Sequence, residues 1–200
     1  MRTLKDVKIG ETVNVTEDGI INVDADTLDL TDVLPLIPED TMPEGVEILG
    51  GIVNDASVNI QKHGDDLKLS GSVKVQDGSV KVEQTDIDDI NGKAVFNDSK
   101  ILVDASAQAN GQHADVNGSI RLDTDEIYLD LNASSDSFNP NAIMYLPAEG
   151  TASFTAHLTG TPSNPIVEAD LYSPQIIYDN LSASNVSTHL KYQDNAVYLT

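Results

Sequence analysis

The sequence has no cysteine, no tryptophan and only three phenylalanines, and it sets 11 Lys and Arg against 33 Asp and Glu. The lack of cysteine excludes disulfides, iron–sulfur clusters, thiolate zinc sites and a cysteine nucleophile. It leaves the compartment open. The scarcity of aromatics makes any core aliphatic. A net charge of −22 leaves too little Lys and Arg to displace the counterions of a nucleic acid, which is excluded as a partner. The same imbalance disfavours docking on an anionic membrane surface. No apolar run approaches the roughly 18 residues of a membrane span. No apolar stretch follows Met1-Arg2-Thr3-Leu4-Lys5-Asp6 to make a signal peptide. Taken alone, that reads as cytoplasmic. However, Asn195-Ala196-Val197-Tyr198-Leu199-Thr200 stops inside what reads as a strand, so the chain is expected to be a fragment of a longer protein.

What is present is alternation. Apolar residues recur at every second position in Leu67/Leu69, Val73/Val75, Val80/Val82, Ile101/Val103, Ile127/Leu129/Leu131 and Val167/Ala169/Leu171, with polar residues such as Lys74, Lys81, Asp130 and Asp170 between them. Strands with one apolar and one wet face read this way. Turn signals punctuate the runs: His63-Gly64-Asp65, Gln76-Asp77-Gly78, Asn91-Gly92, Asn97-Asp98-Ser99, Asn110-Gly111 and Asn117-Gly118. Asn-Gly and Asp-Gly favour tight hairpins. The expected fold class is all-β, a long antiparallel meander of about 15 short strands on this spacing. Two segments break the pattern and read as short helices, one near 32–37 and one at 139–146. Asn139 is placed to cap the second, and Pro140 suits its first turn.

An internal repeat is expected from these elements. Ala56-Ser57-Val58-Asn59-Ile60 aligns with Ala152-Ser153-Phe154-Thr155-Ala156, and Phe96-Asn97-Asp98 with Tyr192-Gln193-Asp194, at a common offset of 96 residues. The organisation then reads as a partial first repeat over 1–55, a β-meander repeat over 56–138, and a second repeat over 139–200 that opens with the helix 139–146.

No catalytic constellation is present. His63, His113, His157 and His189 lack ligand-like spacing, so no metal site is expected. The acidic runs Asp24/Asp26, Asp86/Asp88/Asp89 and Asp123/Asp125/Glu126 lack the glycine and the terminal Glu of a calcium loop and read as solvated faces. There is no nucleophile elbow, phosphate loop or dinucleotide fingerprint. The chain is expected to be non-enzymatic and without cofactors. The alternating apolar residues Val73, Val75, Val80, Val82, Phe96, Ile101, Val103, Phe154, Leu158, Leu171, Ile176, Tyr178 and Leu199 form either a closed core or the lining of an open groove. Alternation does not separate the two.

Several segments together resemble the TamB family, in the AsmA-like group. Gly160-Thr161-Pro162-Ser163-Asn164-Pro165-Ile166-Val167-Glu168-Ala169-Asp170-Leu171 is similar to its G-T-P-x-x-P strand signature. Ile176-Ile177-Tyr178-Asp179-Asn180-Leu181, the hairpin from Val186 to Leu199 and Ile87-Asp88-Asp89-Ile90-Asn91-Gly92 follow its pattern, with Asn195 where glycine is usual. The resemblance runs over roughly 46–200, and neither the family's membrane anchor nor its C-terminal domain is recognised. It implies a β-taco whose groove carries phospholipid across the periplasm. The implied partners are phospholipid acyl chains, an outer-membrane barrel protein and neighbouring repeats of the same longer chain. A different reading of the residues is an acidic β-solenoid or β-sandwich repeat of a surface adhesin, which a closed core would favour.

Overall fold

A computed structural model describes residues 12–15, 20–33, 46–63, 66–82, 85–122, 126–139, 141, 148–179 and 181–200. Among these, twelve strands form one antiparallel sheet. They are β1 (Thr12–Val15), β2 (Ile20–Asp29), β3 (Val46–His63), β4 (Asp66–Val82), β5 (Thr85–Asp98) and β6 (Lys100–Ala109). After these come β7 (Gln112–Arg121), β8 (Tyr128–Phe138), β9 (Ala148–Thr161), β10 (Asn164–Tyr178), β11 (Leu181–Gln193) and β12 (Ala196–Leu199). Each strand pairs with its neighbour in sequence, in the order β1 to β12, and the sheet does not close into a barrel. The single described helix, α1 (Leu30–Val33), follows β2.

The strands are fewer and longer than the turn signals suggest. Gln76-Asp77-Gly78, Asn91-Gly92 and Asn117-Gly118 lie inside β4, β5 and β7 and do not end them. In β4 and β5 the positive-φ aspartates serve bulges. Asp77 has φ 51° where the β4–β5 register shifts between Val75 and Gly78, and Asp89 has φ 50° where the β5–β6 register shifts between Asp88 and Asn91. An extra residue is absorbed, the strand bends, and pairing resumes with the same faces aligned. In β10 the irregularity falls between Tyr172 and Gln175, at Pro174, a residue with no N–H to give a ladder. The Ser173 hydroxyl, almost wholly buried, lies 2.7 Å from the Thr151 carbonyl and 3.0 Å from that of Gln175, and donates within this break. By contrast Asn110-Gly111 does make a hairpin, with φ 50° and 73° at its two residues.

The helix expected near 32–37 is instead found at Leu30–Val33, and residues 34–38 lie outside the described set. Asp29 starts it, accepting hydrogen bonds from the Thr31 backbone N–H (2.9 Å) and hydroxyl (2.7 Å). These bonds hold the Asp29 carboxyl below its ordinary value, the hydroxyl bond contributing most. At Asn139 the carboxamide oxygen accepts from the Asn141 backbone N–H at 3.0 Å, a capping geometry. The rest of the expected helix 139–146 lies outside the described residues.

Burial is shallow. The buried apolar residues are Ala25, Val53, Ala56, Phe138, Ala152 and Ala169, and no large side chain is fully enclosed. Ala25, Val53 and Ala56 cluster with Leu28, Leu30 and Val73, where α1 folds onto β2 and β3. Elsewhere no second sheet lies on the first among the described residues.

Candidate functional site

The two faces of the sheet differ. In β7 the burial alternates strictly from Gln112 to Gly118, with Gln112, Ala114, Val116 and Gly118 half-buried and His113, Asp115 and Asn117 exposed. Cross-strand register carries the half-buried face through the sheet. One rung joins Leu28, Val53, Val75, Gly92, Ala105, Val116, Ala133, Ala156, Ala169, Leu190 and Leu199 without interruption. A second, nearer the turn that follows β5, joins Val58, Gly71, Phe96, Ile101, Ile120, Leu129, Gly160 and Pro165. Between them lie Val73, Ala94, Val103, Gly118, Leu131, Leu158, Val167 and Tyr192. The result is an apolar face about three residues wide with no polar residue in any of the three rungs but the Tyr192 hydroxyl.

The residues singled out from sequence fall on this face, except Val82, whose side chain lies outside the described residues. Phe96 and Ile101 stand on the second rung, Val73, Val103 and Leu158 on the middle one, and Val75 and Leu199 on the first. Phe154 and Leu171 are cross-strand partners beside Ser135 and Thr188. Val80 pairs with Ile87, which pairs with Ala109, and β6 alternates unbroken back to Ala105. Ile176 pairs with Gly150 and Tyr178 with Ala148, along the same alternation in β9. Val82 pairs with Val46 and Thr85. Tyr178 and Leu199 are 52% and 65% exposed, so they stand at the margin of the face.

Sequence reasoning passed over the small members Gly92, Ala105 and Ala133. The signal was present in the turns. A two-residue turn at Asn110-Gly111 obliges Ala105 to face Val116 and Ile101 to face Ile120, and the register follows this pattern. At Gly71 and Gly118 the neighbouring strand comes so close that a Cβ would lie 1.8 Å from the Ser57 carbonyl oxygen and 2.2 Å from that of Asp130. A depression of about 480 Å³ lies over β8 to β11, with Ser135, Phe154, Leu171 and Thr188 among its lining residues.

The opposite face is polar. Its central rung runs Lys74, Lys93, Asp104, Asn117, Asn132, His157, Glu168 and Lys191. His157 Nε2 is 2.8 Å from Asp130, His189 Nδ1 is 2.9 Å from Asp170, and Lys191 donates to Glu168 at 3.0 Å. The Lys191 hydrogen bond and charge hold the Glu168 carboxyl below its ordinary value, and the two histidines add to the effect. Lys74 does the same to Asp55, by hydrogen bond and then by charge. The Ser163 hydroxyl, 2.6 Å away, lowers Glu126, and Thr161 contributes to it. Among the described residues no three His, Asp or Glu side chains gather into a metal-holding group.

Residues 99–196 match the model of the TamB C-terminal domain. Over this stretch the chain is similar to the TamB family. The matched segment runs from the turn after β5 into β12, and it is the C-terminal domain that the sequence reading expected to be missing. No curated protein and no solved structure matches the chain. The family consists of non-enzymatic assembly and transport components of the cell envelope, connected with outer-membrane assembly. No helix among the described residues is long and apolar enough to cross a membrane.

Proposed function

We propose that the apolar face is a groove that carries phospholipid acyl chains between the inner and outer membranes, in the periplasmic part of an envelope protein anchored elsewhere. The observation behind this reading is the uninterrupted apolar rung from Leu28 to Leu199 on a sheet that, beyond α1 at its start, no second layer covers among the described residues. An apolar surface of that extent on a soluble protein calls for an apolar partner. Each methylene of an acyl chain gains up to about 0.8 kcal/mol when fully covered, and a fraction of that where one side still meets water. The rung repeats the same chemistry strand after strand, so a chain sliding along it exchanges one set of contacts for an equivalent one. Movement then needs a gradient and no chemical step. Support for outer-membrane protein assembly would follow from delivering lipid beside a barrel partner. The sandwich form of the adhesin alternative requires a second sheet, and none lies on the first among the described residues.

Native mass spectrometry with lipid extraction, on the chain expressed in a diderm bacterium, tests the reading. Co-purifying phospholipid that is lost in Ile101→Asp and Leu158→Asp supports it. A chain that purifies free of lipid and takes none from vesicles overturns it.

A further inference from the structure

Positive charge is scarce in this chain, yet two of its cations are set directly against each other. Lys100 and Arg121 are Cα partners across β6 and β7, both exposed on the polar face. Like charges directly opposed in a sheet destabilise it. With three acids for every base, a carboxylate in either position would have been the easier choice. Neither cation has a carboxylate within ion-pair distance among the described residues. Asp130, on the strand beside Arg121, is held by His157. The Arg121 guanidinium lies over the Tyr128 ring, 4.8 Å from its centroid, which holds its position. One strand further, Lys93 also faces a cation, Lys74, but there Asp55 pairs with the Lys74 charge.

Their place in the sheet is the second observation. Lys100 and Arg121 form the last pair of their ladder, beside the Ser99 turn, where the Leu122 N–H closes on the Ser99 carbonyl at 2.7 Å. The next residues inward, Ile101 and Ile120, lie on the apolar face. The pair therefore stands at the strand ends, one residue from the apolar rung and on the other side of the sheet, at the lip of the face.

We infer that Lys100 and Arg121 bind the phosphate of a phospholipid headgroup whose acyl chains lie on the rung of Phe96, Ile101, Ile120 and Leu129. This rests on the acyl-chain reading of the apolar face. A phosphate relieves the opposed charges and takes charge-assisted hydrogen bonds from both side chains. The headgroup stays in water while the tails are covered. The net charge of the chain keeps it off anionic membrane surfaces, so the site takes single lipids and not a bilayer.

The test is a fluorescence titration of the full 200-residue chain with NBD-labelled phosphatidylglycerol and with NBD-labelled diacylglycerol of the same chain length. The double variant Lys100→Gln/Arg121→Gln should bind the phospholipid about tenfold more weakly and the diacylglycerol unchanged. Lys100→Glu, which gives Arg121 an ion-pair partner and keeps the fold, should show the same selective loss. Equal phospholipid binding by wild type and both variants, with diacylglycerol still bound, overturns the headgroup site and leaves the groove standing. Binding of neither lipid by wild type overturns both. Glycerol 3-phosphate that binds wild type as tightly as the phospholipid overturns the lipid assignment in favour of a free phosphate site.

Discussion

Asp89 and Asn185, 96 residues apart, both adopt left-handed backbone in the middle of a strand, with φ of 50° and 52°. Each sits at a break in its ladder, Asp89 where β5 shifts against β6 and Asn185 where β10 and β11 skip a pair beside Pro174. The strands that hold them begin at Thr85 and Leu181, the same distance apart. The short polar side chains tolerate this conformation better than most and fix it locally. Gln108 donates to the Asp89 carboxylate at 2.7 Å, and the Tyr172 hydroxyl donates to Asn185 at 3.2 Å. Left-handed backbone costs an ordinary L-residue about 1–2 kcal/mol. Asp89→Val should therefore lower stability by about 2 kcal/mol, and Asp89→Gly by less than about 1, since glycine regains in φ what it loses in the hydrogen bond. Urea midpoints compare the two; equal losses would show that the side-chain bond and not the backbone sets the requirement.

Two glycines separate backbone strain from crowding. Gly111 has φ 73° and open space around its missing Cβ, whereas Gly118 has φ 145° and the Asp130 carbonyl oxygen 2.2 Å from where a Cβ would stand. Gly111→Ala should cost about 1 kcal/mol, the price of its backbone conformation alone. Gly118→Ala must also push β8 away and should cost about 3 kcal/mol or prevent folding. Thermal unfolding of the pair tests the order, which reverses if the sheet yields easily at β8.

The half-covered apolar face makes a further prediction. Leu158 lies in the middle rung, half-buried, with no second sheet above it among the described residues. Leu→Ala in a closed core costs about 2–5 kcal/mol. On this face Leu158→Ala should cost about 2 kcal/mol, the low end of that range, because part of the side chain already meets solvent. A loss of about 4 kcal/mol in urea unfolding would mean that the residue is enclosed.

Glu168 gives the acid limb. Its carboxyl is held below the ordinary value of 4.5 by Lys191, His189 and His157. A depressed carboxylate contributes stability that is fully present above its unfolded-state value and is lost as pH falls through its lower folded-state value. Glu168→Gln should thus be slightly less stable than wild type at pH 7, and the gap should close as the solution is acidified below 4.5. The carboxyl is exposed, so the gap is small. Chemical denaturation across pH 3–7 measures it, and a gap independent of pH would rule out the ionic origin.

The alternation Leu129/Leu131 or Ile101/Val103 needed no tertiary knowledge, because each apolar residue lies two positions from the next and the sheet has one face to bury. The apolar face was legible for the same reason, down to Val80 and Ile176 beyond the bulges. What misled was the turn chemistry. Asp77-Gly78 and Asn117-Gly118 carry the residues of a hairpin, and the same tolerance of positive φ suits a bulge or a close strand approach. Only the length of the pairing on either side decides between them. The small residues of the rung were missed because Ala and Gly carry little hydrophobic signal singly. Their alignment across strands appears only when the hairpin registers are chained together. The opposition of Lys100 and Arg121 is of the same kind, since 21 residues separate them in sequence and a single turn brings them face to face.

The order of the ladder has a consequence for how the chain folds. Every strand pairs with the one made just before it, so no long loop has to close before contacts form. Pairing can begin at any hairpin, the tight Asn110-Gly111 turn being the best nucleus, and spread outward strand by strand in the manner of a zipper. A polypeptide that enters its compartment in an extended form from one end could be taken up by the growing edge as each hairpin emerges, without waiting for the rest.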